Sequence, residues 1–215
     1  MRDMVRGLAV WPAELPEFDV RSAPDDPVAL FLAWLGEAVR DKVLGPQVMT
    51  LATADAAGRV SSRVLICRDV DDTGRWYFDS LATSGKGWDL AANPRAAATF
   101  YWPQHGRQIR IAGEAASAGQ EASAADFLAK PPASRAAALV GRESEPLSDL
   151  AELDEAFARA QAEVEANPGL VDPDSVLYAL TAGTVEFWQG DRRSRHRRLQ
   201  YQRAANGWTS RLLWP

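Results

Sequence analysis

Near the end of the chain, Asn206-Gly207 separates two short runs of strand-forming residues, RRLQYQRA and WTSRLLWP. That dipeptide suits the two positive-φ positions of a type I′ turn, so it predicts a terminal antiparallel hairpin. The same texture fills much of the upstream sequence. VMTLATA, VSSRVLICRDV and RWYFDS are joined by the turns DAAGR and DDTG, and RAAATFYW and RQIRIAGEAAS by PQHG. SVLYALTAGTVEFWQG is a longer run in which Gly183 marks a bend. Short runs joined by tight turns pair as antiparallel neighbours, which predicts a β-barrel.

Helical spacing interrupts this pattern in three places. In DDPVALFLAWLGEAVRDKV, Asp26 caps, Pro27 suits the first turn, and Leu30, Trp34, Ala38 and Val39 trace an apolar face. SGKGWDLAANP reads as a loop feeding a short helix stopped at Asn93-Pro94. Residues 119–167 hold QEASAADFLAK, PASRAAALVG and a longer helix with Leu150, Leu153, Phe157, Ala160 and Val164 on one side. The expected fold class is α+β, an antiparallel barrel with peripheral helices. Residues 1–25, with Pro12, Pro16 and Pro24, read as an arm, and residues 26–215 as one domain with a helical insertion at about 119–167.

Composition narrows the chemistry. The 215 residues are 47% hydrophobic with a net charge of -5, which disfavours general nucleic-acid binding. No apolar run is long enough to cross a membrane and no secretory signal opens the chain, so a cytoplasmic location is the default expectation. A single cysteine, Cys67, and two histidines, His105 and His196, give no cysteine-rich or multi-histidine metal site. No serine sits in a strand-to-helix nucleophile motif. Reactive atoms, if the protein is an enzyme, belong to a bound cofactor.

Three basic segments offer anion chemistry. Arg63 and Arg68 lie on one predicted strand and project to opposite faces unless a bulge intervenes. TSGKG places Ser84 and Lys86 at a helix N-terminus, where free N–H groups and the helix dipole favour an anion; its glycine spacing is not that of a P-loop. Between Asp191 and Arg203 lie six arginines and His196. Such a cluster is either a solvated, salt-bridged face or an anion site, and composition favours the first. Trp188 serves equally as core or as the wall of a planar ligand's pocket.

Taken together, MTLATADAAGRVSSRVLICR, FDSLATSGKGWDLAANPRAAATFYWPQHGRQIRIAGEA and VEFWQG…RHRRLQYQR…W…RLLWP resemble the pyridoxine/pyridoxamine 5′-phosphate oxidase family, with similarity from about Pro27 to Pro215. The resemblance implies a split β-barrel and a homodimer that binds FMN between its protomers. It implies flavin contacts at Arg63, Val64, Leu65, Ile66, Ser84, Lys86, Gln108, Glu143, Ser144, Trp188 and Arg198. Substrate contacts are implied at Arg68, Lys130, Ser134, Ser194 and His196, with His196 placing substrate over the flavin.

The sequence also departs from the family pattern. Gly85 stands where the phosphate loop has arginine, Arg68 replaces a lysine, Lys130 replaces an arginine, and Asp126 stands where a tyrosine is expected. Ser194 replaces the arginine of an Arg-x-His motif, with Arg193 and Arg195 as neighbouring substitutes, and Arg197 replaces an aspartate. The implied activity is an FMN-dependent oxidase that takes hydride from an amine, alcohol or dihydro-aromatic substrate and passes electrons to oxygen. A vitamin B6 phosphate and the planar metabolites of the phenazine-biosynthesis relatives both remain open as substrates. The alternatives are a non-catalytic flavin-binding protein and a split-barrel protein that uses deazaflavin F420 or heme.

Overall fold

The computed structural model describes residue 4 and residues 6–215, so residues 1–3 and 5 of the expected arm lie outside the described residues. Nine strands and, from Pro27 onward, five helices make up the fold. In chain order these are α1 (Pro27–Arg40), β1 (Val48–Ala54), β2 (Val60–Ile66), β3 (Asp69–Val70), β4 (Arg75–Leu81), α2 (Gly85–Ala92), β5 (Arg95–Trp102) and β6 (Arg107–Ser117). There follow α3 (Gln120–Leu128), α4 (Pro132–Leu139), α5 (Leu150–Ala166), β7 (Ser175–Gln189), β8 (Arg197–Ala204) and β9 (Gly207–Leu212). No helix among the described residues is long and apolar enough to cross a membrane.

The sheet is antiparallel throughout and runs β2-β1-β5-β6-β7-β4-β3, with β8 and β9 continuing from the far half of β7. It curls around a core of Trp76, Phe78, Phe100, Trp102, Ile109, Phe187 and Tyr201, which α1 closes with Phe31 and Trp34. Asp26 caps α1 by accepting from the Val28 N–H, as expected, but the buried face is Leu30, Phe31, Trp34 and Ala38. Val39 lies one residue round the helix from Ala38 and is exposed. The bend at Gly183 is a bulge: Ala112 pairs with Thr184 but Gly113 with Ala182, which leaves Gly183 as the extra residue.

Two sequence expectations are corrected. The terminal turn is Ala205-Asn206, because Ala204 already pairs with Gly207. Neither turn residue has positive φ; Gly207 takes the positive value, 115°, and absorbs the twist that a type I′ turn would have carried. The run VSSRVLICRDV is two strands, not one. Cys67 N–H donates to Gln47 O at 2.9 Å on the β1 side, whereas Arg68 N–H donates to Tyr77 O at 2.7 Å on the β4 side. The first and last strands of the barrel are therefore joined by two residues of chain and by no ladder.

Residues 9–25 form neither helix nor strand, yet they are pinned. Phe18 is buried in the core against Trp34, and Tyr201 Oη donates to Pro24 O at 2.6 Å. On α5, only the C-terminal half of the expected apolar face is covered: Ala160 and Val164 pack with Ala136 of α4, while Leu150 is exposed.

Candidate functional site

The start of α2 is built as a cradle. Ser84 caps the helix, its Oγ accepting from Gly87 N–H at 3.2 Å and donating to Leu81 O at 2.8 Å. Gly87 is obligatory, because a Cβ there would lie 2.3 Å from Ala82 O. A Cβ on Gly85 would meet nothing within 4 Å, so the position that lacks the family's arginine has open space in front of it. Lys86 is buried, 3.3 Å from Ser84 Oγ, and forms an ion pair with Glu143.

Arg63 reaches the same locus from β2. It donates to Thr53 Oγ1 at 2.8 Å and Ser61 Oγ at 2.6 Å, and lies 3.9 Å from Asp89 of α2. Burial holds its pKa below the ordinary guanidinium value, while the charges of Asp89 and Glu143 act in the opposite sense. Lys86 and Arg63 thus share the field of one carboxylate, Glu143, at a helix N-terminus. Lys86 at the helix N-terminus, with Arg63 held against Asp89 further along the same helix, fits a phosphate, and Glu143 holds the place of the anion.

The split between β2 and β4 opens a cavity of about 590 Å³. Val64, Leu65 and Ile66 form one side and Asp79, Ser80 and Leu81 the other, while Lys86, Lys130, Ser134 and Glu143 also face it. Leu153 and Phe157, from the expected apolar face of α5, line the cavity, and Phe157 also packs against the α4–α5 contact. Arg68 bends away from Arg63 at the Cys67–Arg68 break and donates to Asp126 Oδ1 at 2.9 Å. Cys67, half-buried at this break, has its thiol pKa pushed up to about 12 by the burial of its side chain.

A second group of expected residues lies on another part of the sheet. Gln108 of β6 pairs with Trp188 of β7, which pairs with Arg198 of β8, so the three stand side by side in one row. Arg198 Nε donates to buried Glu186 at 2.8 Å and its NH1 to Trp214 O at 2.9 Å. Those bonds to Glu186 hold the guanidinium above its ordinary pKa. His196 packs on Trp188 with ring centroids 4.8 Å apart, and Trp11 of the arm contacts both rings at 5.7 and 5.9 Å. His196 Nδ1 accepts from Asp191 N–H at 3.1 Å, which leaves Nε2 to carry the proton of the neutral ring. His196 and Arg198 border a separate cavity of about 440 Å³ that contains none of the first group.

The arginine cluster is mostly structural. Arg192 and Arg197 donate to the arm carbonyls of Pro12 and Phe18, and Arg203 donates to Ala182 O and sits over Trp208. The Asp191 carboxylate accepts from Arg193 and Arg195 N–H groups, and those bonds lower its pKa against the opposing effect of burial. Ser194 is exposed at the tip of that loop with φ 59°, and Ser144, with φ 72°, does not line the 590 Å³ cavity. Two residues were missed by sequence reasoning. Asp79 gave only the signal of a carboxylate on the non-core face of β4; Trp11 was an aromatic without periodic neighbours in a proline-rich arm.

Comparison with known proteins identifies the family and supports the fold. Residues 35–189 match the family described as "Pyridoxamine 5'-phosphate oxidase", and residues 176–215 match "Pyridoxine 5'-phosphate oxidase C-terminal dimerisation region". The pyridoxine/pyridoxamine 5′-phosphate oxidase of Pseudomonas paraeruginosa is 36% identical over 196 residues, 90% of this chain and 91% of that one. The dihydrophenazinedicarboxylate synthase of Pseudomonas chlororaphis is 35% identical over 204 residues, 94% of this chain and 89% of that one. The crystal structure of PhzG from Burkholderia lata 383, in complex with tetrahydrophenazine-1-carboxylic acid, superposes with a TM-score of 0.85 at 30% identity, covering 94% of this chain and 99% of that one. The chain belongs to the pyridoxamine 5′-phosphate oxidase family.

Proposed function

We propose that this protein is an FMN-dependent oxidase whose sites are each completed by two copies of the chain. The observation that carries the reading is the Lys86–Glu143 ion pair at the N-terminus of α2, with Arg63 held 3.9 Å from Asp89 on the same helix. Those two cations and the first-turn N–H groups of α2 hold the FMN phosphate once Glu143 withdraws. Val64, Leu65 and Ile66 offer an apolar border for a planar ring. Gln108, Trp188 and Arg198, on their separate row away from the 590 Å³ cavity, serve the flavin of the partner protomer. The match of residues 176–215 to a dimerisation region supports this arrangement.

Bound FMN would supply the hydride acceptor, atom N5, and return the electrons to oxygen. The chain's own residues bind and orient. The Nε2–H of His196 donates a hydrogen bond that positions substrate, and Trp188 with Trp11 walls off water from that face. A planar reduced ring or an amine is the proposed substrate, a reading supported by the two kinds of relative the chain resembles.

The test is direct. Purified protein is expected to be yellow, to carry oxidised-flavin absorbance, and to quench added FMN fluorescence at one site per protomer. Colourless protein that leaves FMN fluorescence unchanged overturns the reading. The shared site is tested by mixing inactive Lys86→Ala and Trp188→Ala proteins: exchange of protomers restores one intact site in the hybrid dimer, whereas sites built within one chain regain nothing.

A further inference from the structure

Asp79 and Lys130 line one wall of the 590 Å³ cavity, and Arg68 and Asp126, which do not line it, close a set of ion pairs with them that the flavin reading leaves without a task. Lys130 Nζ donates to Asp79 Oδ2 at 2.6 Å and lies 3.5 Å from Asp126 Oδ2. Arg68 Nε donates to Asp126 Oδ1 at 2.9 Å and lies 3.8 Å from Asp79 Oδ1. Each carboxylate therefore bridges both cations. The Lys130 side chain is only 6% exposed and that of Asp126 13%, so water screens them little. Asp172, also buried, adds a third carboxylate within electrostatic reach of Lys130.

This wall carries no excess positive charge. An arriving phosphate would have to displace a carboxylate from Lys130 or Arg68 and leave it confined beside a second anion. A hydrogen-bond donor faces no such obstacle, because each carboxylate oxygen has lone pairs left to accept with. Ser134 also lines the cavity.

We propose that Asp79, on the cavity wall, and Asp126, beside it, are specificity-determining residues: together they neutralise Lys130 and Arg68, and Asp79 presents an acceptor, so that the substrate end reaching Lys130 bears an amine or hydroxyl and no phosphate. The proposal rests on the flavin-oxidase reading for its substrate, but the charge balance can be measured without flavin.

Inorganic phosphate is titrated into flavin-free full-length protein carrying Lys86→Met, which removes the cradle's cation, with phosphorus NMR line width as the readout. No saturable binding is expected at millimolar phosphate. Adding Asp126→Asn or Asp79→Asn creates such binding, and Lys130→Met then abolishes it. The proposal is overturned if the Lys86→Met protein binds phosphate through Lys130. It is equally overturned if both Asn variants keep the near-ultraviolet circular dichroism of the parent and gain nothing; if one fails to fold, the other decides. In flavin-loaded wild type, pyridoxamine 5′-phosphate is expected to bind no tighter than pyridoxamine, and Asp126→Asn to shift the preference toward the phosphate by roughly tenfold. A wild-type preference of that size for the phosphorylated compound also overturns it. Failure to bind FMN would sink the functional reading alone and leave the phosphate titration standing.

Discussion

The Lys86 ammonium at the start of α2 is paired with the Glu143 carboxylate of the loop after α4, so the chain supplies its own anion to the cradle. Removing that competitor should help the phosphate. Glu143→Gln is expected to tighten FMN binding by up to roughly tenfold, whereas Lys86→Ala weakens it by about 1.5–3 kcal/mol. Fluorescence titration with FMN reads both. Unchanged affinity in the two variants would remove the cradle from the account.

The two glycines beside Lys86 should respond in opposite ways. Gly87→Ala forces a Cβ against the Ala82 carbonyl at 2.3 Å and is expected to cost about 2–4 kcal/mol of stability. Gly85→Ala, in open space within the first turn of α2, should be neutral or stabilise by up to about 1 kcal/mol. Urea unfolding of the two variants tests the contrast. Equal destabilisation would mean that the close approach at Gly87 has been misplaced.

Asp71 gives a pH prediction. Burial alone would raise its pKa, but bonds from Thr73, Tyr77 and Arg75 outweigh this and hold the carboxyl well below the usual range. A depressed carboxylate adds stability above its unfolded pKa of about 3.9 and loses it as pH falls toward the folded value. Wild type should therefore exceed Asp71→Asn in urea midpoint at neutral pH, with the gap narrowing below about pH 4. A gap that widens on acidification contradicts the sign.

Trp11 fastens the arm to the loop between β7 and β8. Losing its contacts with Trp188 and His196 is expected to cost about 0.5–1.5 kcal/mol beyond lost burial. Trypsin should then cut faster in the segment of Arg192, Arg193 and Arg195, read by mass of the fragments. Cleavage at the wild-type rate in Trp11→Ala would show that the arm does not brace this loop.

These relationships were unequally legible in the sequence. β5 and β6 follow from two strand-forming runs joined by the PQHG turn, and the capped start of α1 from Asp26-Pro27, because local chemistry decides them. The break at Cys67–Arg68 was invisible, since the strand pattern continues through it and only closure of the barrel forces consecutive amides to opposite edges. Lys86 could be placed from a helix start, but its pairing with Glu143 spans a sequence distance that no periodicity reports. Asp126 was noticed as an odd residue; that it faces Arg68 and Lys130, with Asp79 completing the set, needed α3 to be set against β4.

The break between the first and last strands also governs the size of the binding cavity. Val64–Ile66 form one lip of the slit and Asp79–Leu81 the other, with no ladder to fix the gap. Its width is gauged instead by the dihedral angles of one dipeptide, Cys67-Arg68, whose amides are tethered in opposite directions. Reshaping the backbone of those two residues would open or narrow the whole chamber at once, and would carry the Arg68 side chain with it.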